Sequence, residues 1–274
     1  MLAEIAVGGM AEIHVAKQRL RDGLEKLVVI KTVRSHLKNN REFTQMFLNE
    51  ARIASRLEHP NIVQMYDLGY ADGSYFLAME YVHGENLRSV ARACRKRRRL
   101  IPLAHTTTIG ALICQGLHHA HTKKDVMGRP LDIVHCDISP QNIMLSFAGE
   151  VKVGDFGVAR AASRFEDQQK GIVKGKLAYM SPEQVTGKQL DARTDIFSLG
   201  VILWEAASGK RLFNHPSMGR VVRAICEDRP EPPSHHNRKI PSDLDAVVLK
   251  AIEKGYNISR KGEAARQGDR LLAA

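Results

Sequence analysis

The chain has no long uninterrupted run of apolar residues, and none approaches the roughly 18 residues that a membrane-spanning helix needs. Its first residues lack the basic and apolar regions of a secretory signal peptide. The four cysteines lie far apart and form no CxxC pair, which is typical of a reducing compartment rather than of a disulfide framework. These absences predict a soluble, cytoplasmic protein with no membrane segment.

Basic residues outnumber acidic ones, and the formal net charge of +11 predicts attraction to polyanions such as nucleotides, nucleic acid and acidic proteins. The charge is most concentrated in "CRKRRRL", residues 94–100, where five basic side chains follow one another. Such a run is most often a solvated loop or helix end, and this interpretation is favoured over binding of nucleic acid or an acidic partner. Nucleic acid is therefore not the expected partner.

The first 82 residues have the pattern of β-strands with one helix among them. In "REFTQMFLNEARIASRL", apolar residues recur at helical spacing, and Glu50 lies within the apolar stripe. A carboxylate is unfavourable there unless a basic group meets it. Strands are predicted in "AEIAVGG", "AEIHVAK", "LVVIKTV", "IVQMYDLGY" and "SYFLAMEYV".

After Gly84 the pattern becomes mainly helical. "TDIFSLGVILWEAASG" is apolar on nearly every side, which predicts a helix in the middle of a large core. Two other helices are predicted in "TTTIGALICQGLHHAH" and "SDLDAVVLKAIEK". The order predicts a small β-rich lobe followed by a larger helical lobe.

The glycine-containing segment "AVGGMAEI" predicts only a β-hairpin when it is taken alone, because it keeps one glycine, Gly8, of the pattern G-x-G-x-x-G-x-V. The segments that follow change this interpretation. They are Lys31 at the end of "VVIK", Glu50, "HCDISPQN" at 135–142, "DFG" at 155–157, "SPE" at 181–183 and Asp195 at the head of the apolar helix. In this order they resemble the protein kinase family, most of all the bacterial, eukaryotic-like (Hanks-type) Ser/Thr kinases.

The resemblance implies an α+β, bilobal protein-kinase fold over residues 1–274. Residues 1–82, short at their start, would form the lobe with the antiparallel sheet, and 83–274 the larger helical lobe. ATP would lie between the lobes, with glycine amides close to its phosphates. The positions that match the nucleotide site are Ile5, Ala6, Val7, Gly8, Gly9, Met10, Ala11, Glu12, Ile13, Val29, Lys31, Met79, Glu80, Val82 and Leu145.

The resemblance also assigns roles to five polar side chains, all of which are present. Lys31 would bring positive charge to the α- and β-phosphates, and Glu50 would hold it in place. Asn142 and Asp155 would bind Mg²⁺, or Mn²⁺, through oxygen atoms. Asp137 would accept or orient the proton of a Ser or Thr hydroxyl on a protein substrate.

Further positions match structural contacts of the family. Glu183 and Arg260 correspond to an ion pair that holds the activation segment, and Asp195 corresponds to a carboxylate that binds backbone amides of the loop 135–142. Val158, directly after "DFG", is β-branched, which the family associates with threonine acceptors.

Two departures from the family concern regulation and charge. Cys136 replaces an arginine that binds an activating phosphate, and no threonine lies between Asp155 and Glu183, so we expect activity without phosphorylation of this segment.

Ser139 replaces a lysine, whereas Lys176 replaces a threonine. We interpret this as an exchange that keeps one positive charge beside Asp137, and Lys176 is added to the candidate catalytic residues. The alternative is that Lys176 points to solvent.

Two other functions compete with an active protein kinase. A pseudokinase that serves as a nucleotide-binding scaffold is consistent with the lost lysine, but the five polar side chains argue against it. A small-molecule kinase of the aminoglycoside-phosphotransferase type shares the H-x-D-x-x-x-x-N loop, but lacks "DFG" followed by an APE-like motif.

Overall fold

The amino-terminal strands form one antiparallel sheet. The computed structural model describes residues 1–7, 11–19, 21–38, 40–156 and 172–254. The strands are β1 (Ala3–Val7), β2 (Ala11–Arg19), β3 (Glu25–Val33), β4 (Met65–Ala71) and β5 (Ser74–Glu80). Their order is β1-β2-β3-β5-β4, so β3 lies in the middle. All five predicted strands are present, and Lys31 lies on β3 between Ile13 of β2 and Leu77 of β5.

One helix packs against this sheet. Helix α1 (Arg41–Ala54) begins after Asn40, whose side chain accepts hydrogen bonds from two amides of the first turn. Its buried Phe47 and Ala51 pack with Val33 and Leu77 of the sheet. The predicted apolar stripe is therefore confirmed, and it places Glu50, which shares this face, beside β3.

Helices dominate the carboxyl-terminal part. They are α2 (Leu87–Lys96), α3 (Leu103–Thr122), α4 (Ile172–Leu177), α5 (Pro182–Val185), α6 (Ala192–Ser208), α7 (Met218–Glu227) and α8 (Ser242–Ala251). Helix α6 is buried along most of its length, as its all-round apolar pattern predicts, and ends at Gly209 with φ of 73°. The observed helix bounds differ slightly from the predicted ones. Helix α3 starts three residues earlier than predicted, and α8 ends three residues earlier.

A second, three-stranded sheet lies in the part of the chain that was predicted to be mainly helical. It consists of β6 (Gly84–Asn86), β7 (Ile143–Ser146) and β8 (Val151–Val153). Gly84 lies so close to β7 that a β-carbon would be 1.9 Å from the carbonyl oxygen of Leu145. Strands of three or four residues are too short to show a periodicity, which explains why the sequence analysis did not predict them.

Two observations concern the outer surface. The basic run 95–99 is exposed at the end of α2 and the turn that follows it, as the favoured interpretation of its charge predicts. Among the helices of the described residues, none is both long enough and apolar enough to cross a membrane.

Candidate active site

The loop 135–142 lies between α3 and β7 in the chain, and one buried carboxylate binds two of its backbone amides. Asp195, at the start of α6, is fully buried and accepts hydrogen bonds from the amides of His135 and Cys136, both at 2.8 Å. Its Oδ2 also lies 2.8 Å from Nε2 of His121. The expected contact between Asp195 and the loop is confirmed. It holds Cys136 at φ of 62°, an unfavourable conformation for a residue with a side chain.

A buried ion-pair network connects the two lobes. Nζ of Lys31 lies 2.6 Å from Oε1 of Glu50 on α1 and 2.9 Å from Oδ1 of Asp155, which follows β8. Burial alone lowers the pKa of Lys31, but the charges of Asp155 and Glu50 outweigh it and raise the pKa above its usual value. The charge of Lys31 lowers the pKa of Asp155. Lys31 is therefore the basic partner that Glu50 was expected to need.

Asp155 is positioned by the residue before it. Gly154 donates its amide hydrogen to the carbonyl of Asn142 at 2.8 Å, and its own carbonyl lies 2.9 Å from Nε2 of His135. Phe156 is buried, and the centroid of its ring lies 4.5 Å from the centroid of the His135 ring. These contacts fix the backbone on both sides of Asp155, whose own φ is 59°.

The side chain of Asn142 binds Asp137. Its Nδ2 donates hydrogen bonds to the carbonyl of Asp137 at 2.8 Å and to Oδ2 of the same residue at 2.9 Å. An amide oxygen and an ionised carboxylate are ligands that magnesium prefers, so Asn142 and Asp155 fit the metal that the sequence implies. The same contacts hold the carboxylate of Asp137 in one orientation.

Lys176 also contacts Asp137. Its Nζ lies 2.6 Å from Oδ2 of Asp137, and its side chain is 37% exposed. The alternative, in which Lys176 points only to solvent, does not agree with this contact. The hydroxyl of Ser139 is buried and has no hydrogen-bond partner among the residues that the structure describes. Ser139 follows Asp137 by two residues on the catalytic loop, whereas Lys176 reaches the same carboxylate from helix α4.

The candidate nucleotide residues lie on neighbouring strands. Ile13 pairs with Lys31 across β2 and β3, and Val29 pairs with Met79 across β3 and β5. Leu145 lies on β7, opposite Glu85. These pairings place the candidate residues of β2, β3 and β5 next to one another.

Two candidate nucleotide residues, Glu80 and Val82, lie at the end of β5 and just after it. The carboxylate of Glu80 is occupied, since Oε1 lies 2.9 Å from Nζ of Lys152 and Oε2 accepts the amide hydrogen of Gln64 at 3.1 Å. Val82 is buried. The side chain of Glu80 is therefore not free to bind a ligand.

The remaining candidate nucleotide residues lie in the first hairpin, which the structure describes only in part. Ile5 is 53% exposed on β1, and Ala11 and Glu12 lie at the start of β2. Gly8, Gly9 and Met10 lie outside the described residues, and Ala6 and Val7 are described only as part of strand β1.

Helix α5 makes a contact that was not predicted. Ser181 caps this helix, and the side chains of Ser181 and Gln184 each bond the other's backbone amide. Nε2 of Gln184 also donates a hydrogen bond to the carbonyl of Cys136 at 2.7 Å. The sequence "SPEQ" contains the signature of the cap, but nothing in it indicates the second contact.

The predicted partners of this segment are found only in part. Oε1 of Glu183 accepts a hydrogen bond from the hydroxyl of Thr194 at 2.8 Å. Arg260, the expected partner of Glu183, lies outside the described residues, and so does Val158.

The comparison with protein families agrees with this geometry. The family model of the protein kinase domain matches residues 3–258. The chain belongs to the protein kinase family. The bilobal fold implied by the sequence is confirmed, with an antiparallel sheet in the first lobe and helices in the second.

Relatives of this kinase chain are bacterial. The tyrosine-protein kinase MasK of Myxococcus xanthus is 44% identical over 92% of the chain, which spans 39% of that protein. The serine/threonine-protein kinase PknB of Mycobacterium tuberculosis is 37% identical over 91% of the chain, which spans 38% of it. The chain therefore spans less than half the length of the curated relatives it matches.

A solved structure has the same fold. The kinase domain of PknI from Mycobacterium tuberculosis, solved as a point mutant, superposes with a TM-score of 0.68 at 22% identity. The match covers 98% of this chain and 93% of that one. At this level of identity the likeness supports the kinase fold alone.

Proposed function

We propose that the chain is an active protein kinase domain, spanning residues 1–274, that transfers the γ-phosphate of ATP to Thr and Ser hydroxyls of proteins, with Thr preferred. The observation that carries this proposal is the buried contact of Lys31 with both Glu50 and Asp155. Forming it requires helix α1, strand β3 and the segment after β8 to meet at one point. A chain that had lost catalysis would have no need to keep these three charges together, because Lys31 and Glu50 are buried and buried charges are costly.

The residues around this network fit ATP and a divalent cation. Lys31 is positively charged and would bind the α- and β-phosphates, while Asn142 and Asp155 would hold Mg²⁺ or Mn²⁺. The bound cation neutralises charge on the phosphates. Glu50 keeps the Lys31 ammonium group in place, and the low pKa of Asp155 keeps this carboxylate ionised.

Asp137 is suited to receive the proton of the acceptor hydroxyl. Asn142 orients its carboxylate, and Asp195 fixes the backbone that precedes it. Catalysis of phosphoryl transfer is mostly positioning and stabilisation of charge, so a rigid carboxylate at this place is sufficient for the role. Lys176 adds a positive charge beside the same carboxylate, where the transferred phosphoryl group would pass.

The names of the relatives differ in the amino acid that accepts the phosphate. PknB carries the name of a serine/threonine kinase, whereas MasK carries that of a tyrosine kinase. Val158 and the absence of an arginine at Gln141, which tyrosine kinases use, favour Thr and Ser. Because MasK is 44% identical, transfer to tyrosine is the second candidate.

Incubation with labelled ATP, Mg²⁺ and a generic basic protein, followed by phosphoamino acid analysis, tests both candidates. Phosphothreonine with less phosphoserine is the expected result, and Asp137→Asn is the inactive control. Mainly phosphotyrosine would replace the first candidate by the second. ATP binding without transfer to any protein would favour a nucleotide-binding scaffold.

A further inference from the structure

A compact polar cluster lies at the carboxyl end of α6. Oε2 of Glu205 accepts hydrogen bonds from the hydroxyl of Tyr179 at 2.8 Å and from Nη1 of Arg211 at 3.1 Å. Oε1 of Glu205 accepts the amide hydrogen of Leu212 at 3.2 Å. The Glu205 side chain is only 10% exposed, whereas that of Arg211 is 33% exposed. The carboxylate of Glu205 is therefore occupied by partners within the protein, and of the two side chains that of Arg211 is the more exposed.

This cluster lies close to the catalytic loop. The amide of Tyr179 donates a hydrogen bond to the carbonyl of Lys176 at 3.0 Å, and Lys176 contacts Asp137. The carbonyl of Tyr179 accepts a hydrogen bond from Ser198 of α6 at 2.7 Å. Only two residues of the chain therefore separate Lys176, which contacts Asp137, from Tyr179 of the cluster, and both ends of this short segment are held by hydrogen bonds.

Helix α2 brings two more arginines to the same place. The amide of Arg88 donates a hydrogen bond to the carbonyl of Pro140 at 2.9 Å, so the start of α2 is bound to the catalytic loop itself. Arg95 is seven residues further on, about two turns, and therefore projects from the same side of the helix. Both arginines are exposed.

The charges of these arginines reach the cluster. Burial raises the pKa of Tyr179, and the positive charge of Arg88 acts in the opposite direction. Burial likewise raises the pKa of Glu205, and the positive charge of Arg95 acts against it. Within the described ranges, neither Arg88 nor Arg95 has a carboxylate at ion-pair distance. Arg211 is therefore bonded to Glu205, and the charges of Arg95 and Arg88 act on Glu205 and Tyr179, respectively.

We propose that Arg88, Arg95 and Arg211 form the surface that recognises protein substrates, and that it selects acceptor segments carrying Asp or Glu near the Thr or Ser. Arg88 is bonded through its amide to the loop that carries Asp137, and Arg211 is bonded to Tyr179, whose amide is bonded to Lys176, so a peptide at Asp137 would have these arginines within its reach. Carboxylates fit the planar, two-pronged guanidinium group well, and complementary charge also speeds encounter. Basic residues in the substrate would meet repulsion, because Glu205 is not available to them. This inference rests on the proposed kinase function.

Three peptides with one Thr acceptor provide the test, with Glu, Ala or Arg at the positions on either side of it. The kcat/KM of the whole chain should be about tenfold higher for the Glu peptide than for the Ala peptide, equivalent to about 1.4 kcal/mol, and lowest for the Arg peptide. Arg88→Glu and Arg95→Glu should each reduce this preference, and the double variant should abolish it. Arg19→Glu is the matched control, since its side chain is 86% exposed at the far end of β2 and the change in net charge is the same.

The outcomes separate this inference from the proposed function. Equal kcat/KM for the three peptides would refute the arginine surface while leaving the kinase activity intact. Equal loss of preference in Arg19→Glu would also refute it, because net charge alone would then explain the selection. Transfer to none of the peptides, the Ala peptide included, would refute the proposed function and the inference that rests on it. DNA binding that the Arg88 and Arg95 variants lose, with peptide preference unchanged, would assign the surface to nucleic acid instead.

Discussion

The contact between Lys176 and Asp137 leads to a prediction that tests the exchange of charge directly. The changes are Lys176→Thr, Ser139→Lys and the two together. Lys176→Thr removes the ammonium group that lies 2.6 Å from Oδ2 of Asp137. Ser139→Lys adds a second ammonium group at a buried position beside the first. The double variant restores one positive charge near Asp137, but supplies it from the loop instead of from helix α4.

The size of the effect follows from the distance and the exposure. A unit charge about 4 Å from a phosphoryl oxygen contributes about 4 kcal/mol at an effective dielectric constant of about 20. Lys176 is 37% exposed, so solvent screens part of this interaction. Roughly 1.5–3 kcal/mol remains, and Lys176→Thr should lower kcat/KM by roughly tenfold to 150-fold.

The assay is a double-mutant cycle on kcat/KM with one peptide substrate. Each single variant should be slow, and the double variant should recover much of the lost rate, which appears as a coupling energy. Lys188→Thr is the matched control, because it removes an exposed lysine from the neighbouring segment and should leave the rate unchanged. Melting temperatures of all variants distinguish a lost charge from a lost fold, which matters most for the buried Ser139.

Additive effects of the two substitutions would refute the exchange. A normal rate for Lys176→Thr would do the same, and would mean that the ion pair with Asp137 is a resting contact with no part in transfer. An increased rate would indicate that Lys176 blocks Asp137 in the free protein.

Three further results are expected. Asp137→Asn should reduce transfer by orders of magnitude at an unchanged melting temperature, and near-normal turnover would contradict the assigned role. Gly84→Ala should lower the melting temperature by roughly 4–8 °C, since a β-carbon would meet the Leu145 carbonyl at 1.9 Å, whereas Gly219→Ala, which meets nothing within 4 Å, should not lower it. Phosphatase-treated protein should keep most of its initial rate, because Cys136 is buried and uncharged and offers no site for an activating phosphate; a large loss would contradict this.

Local patterns in the sequence determined most of the architecture. Alternating and β-branched residues mark the five strands of the first sheet, and the helical spacing of apolar residues marks α1 and α6. Glu50 was expected to have a basic partner because a lone carboxylate in an apolar stripe is unfavourable, and Lys31 is that partner. The order of the motifs was sufficient for the family, since each motif is a short segment read along the chain.

Only the tertiary structure decided which distant residues meet. Lys176 reaches Asp137 across 39 positions of chain, and Gln184 reaches the carbonyl of Cys136 across 48. The exchange of Ser139 and Lys176 was a hypothesis from the sequence, but solvent remained an alternative for Lys176 until their positions were known. The contact of Gln184 has no signature at all, because a glutamine that caps a helix looks the same whether or not its amide reaches another segment.

The three arginines of the proposed substrate surface show most clearly the difference between what the sequence and the tertiary structure determine. The sequence shows a basic chain and a basic run, and it places Arg88, Arg95 and Arg211 among many similar residues. The structure binds Arg88 to the catalytic loop and shows that Glu205 is already bound by Arg211. The sequence gives the number of charges. The selectivity of a surface depends on which charges are close in space and which are already neutralised. The packing of α2 and α6 against the loop determines both.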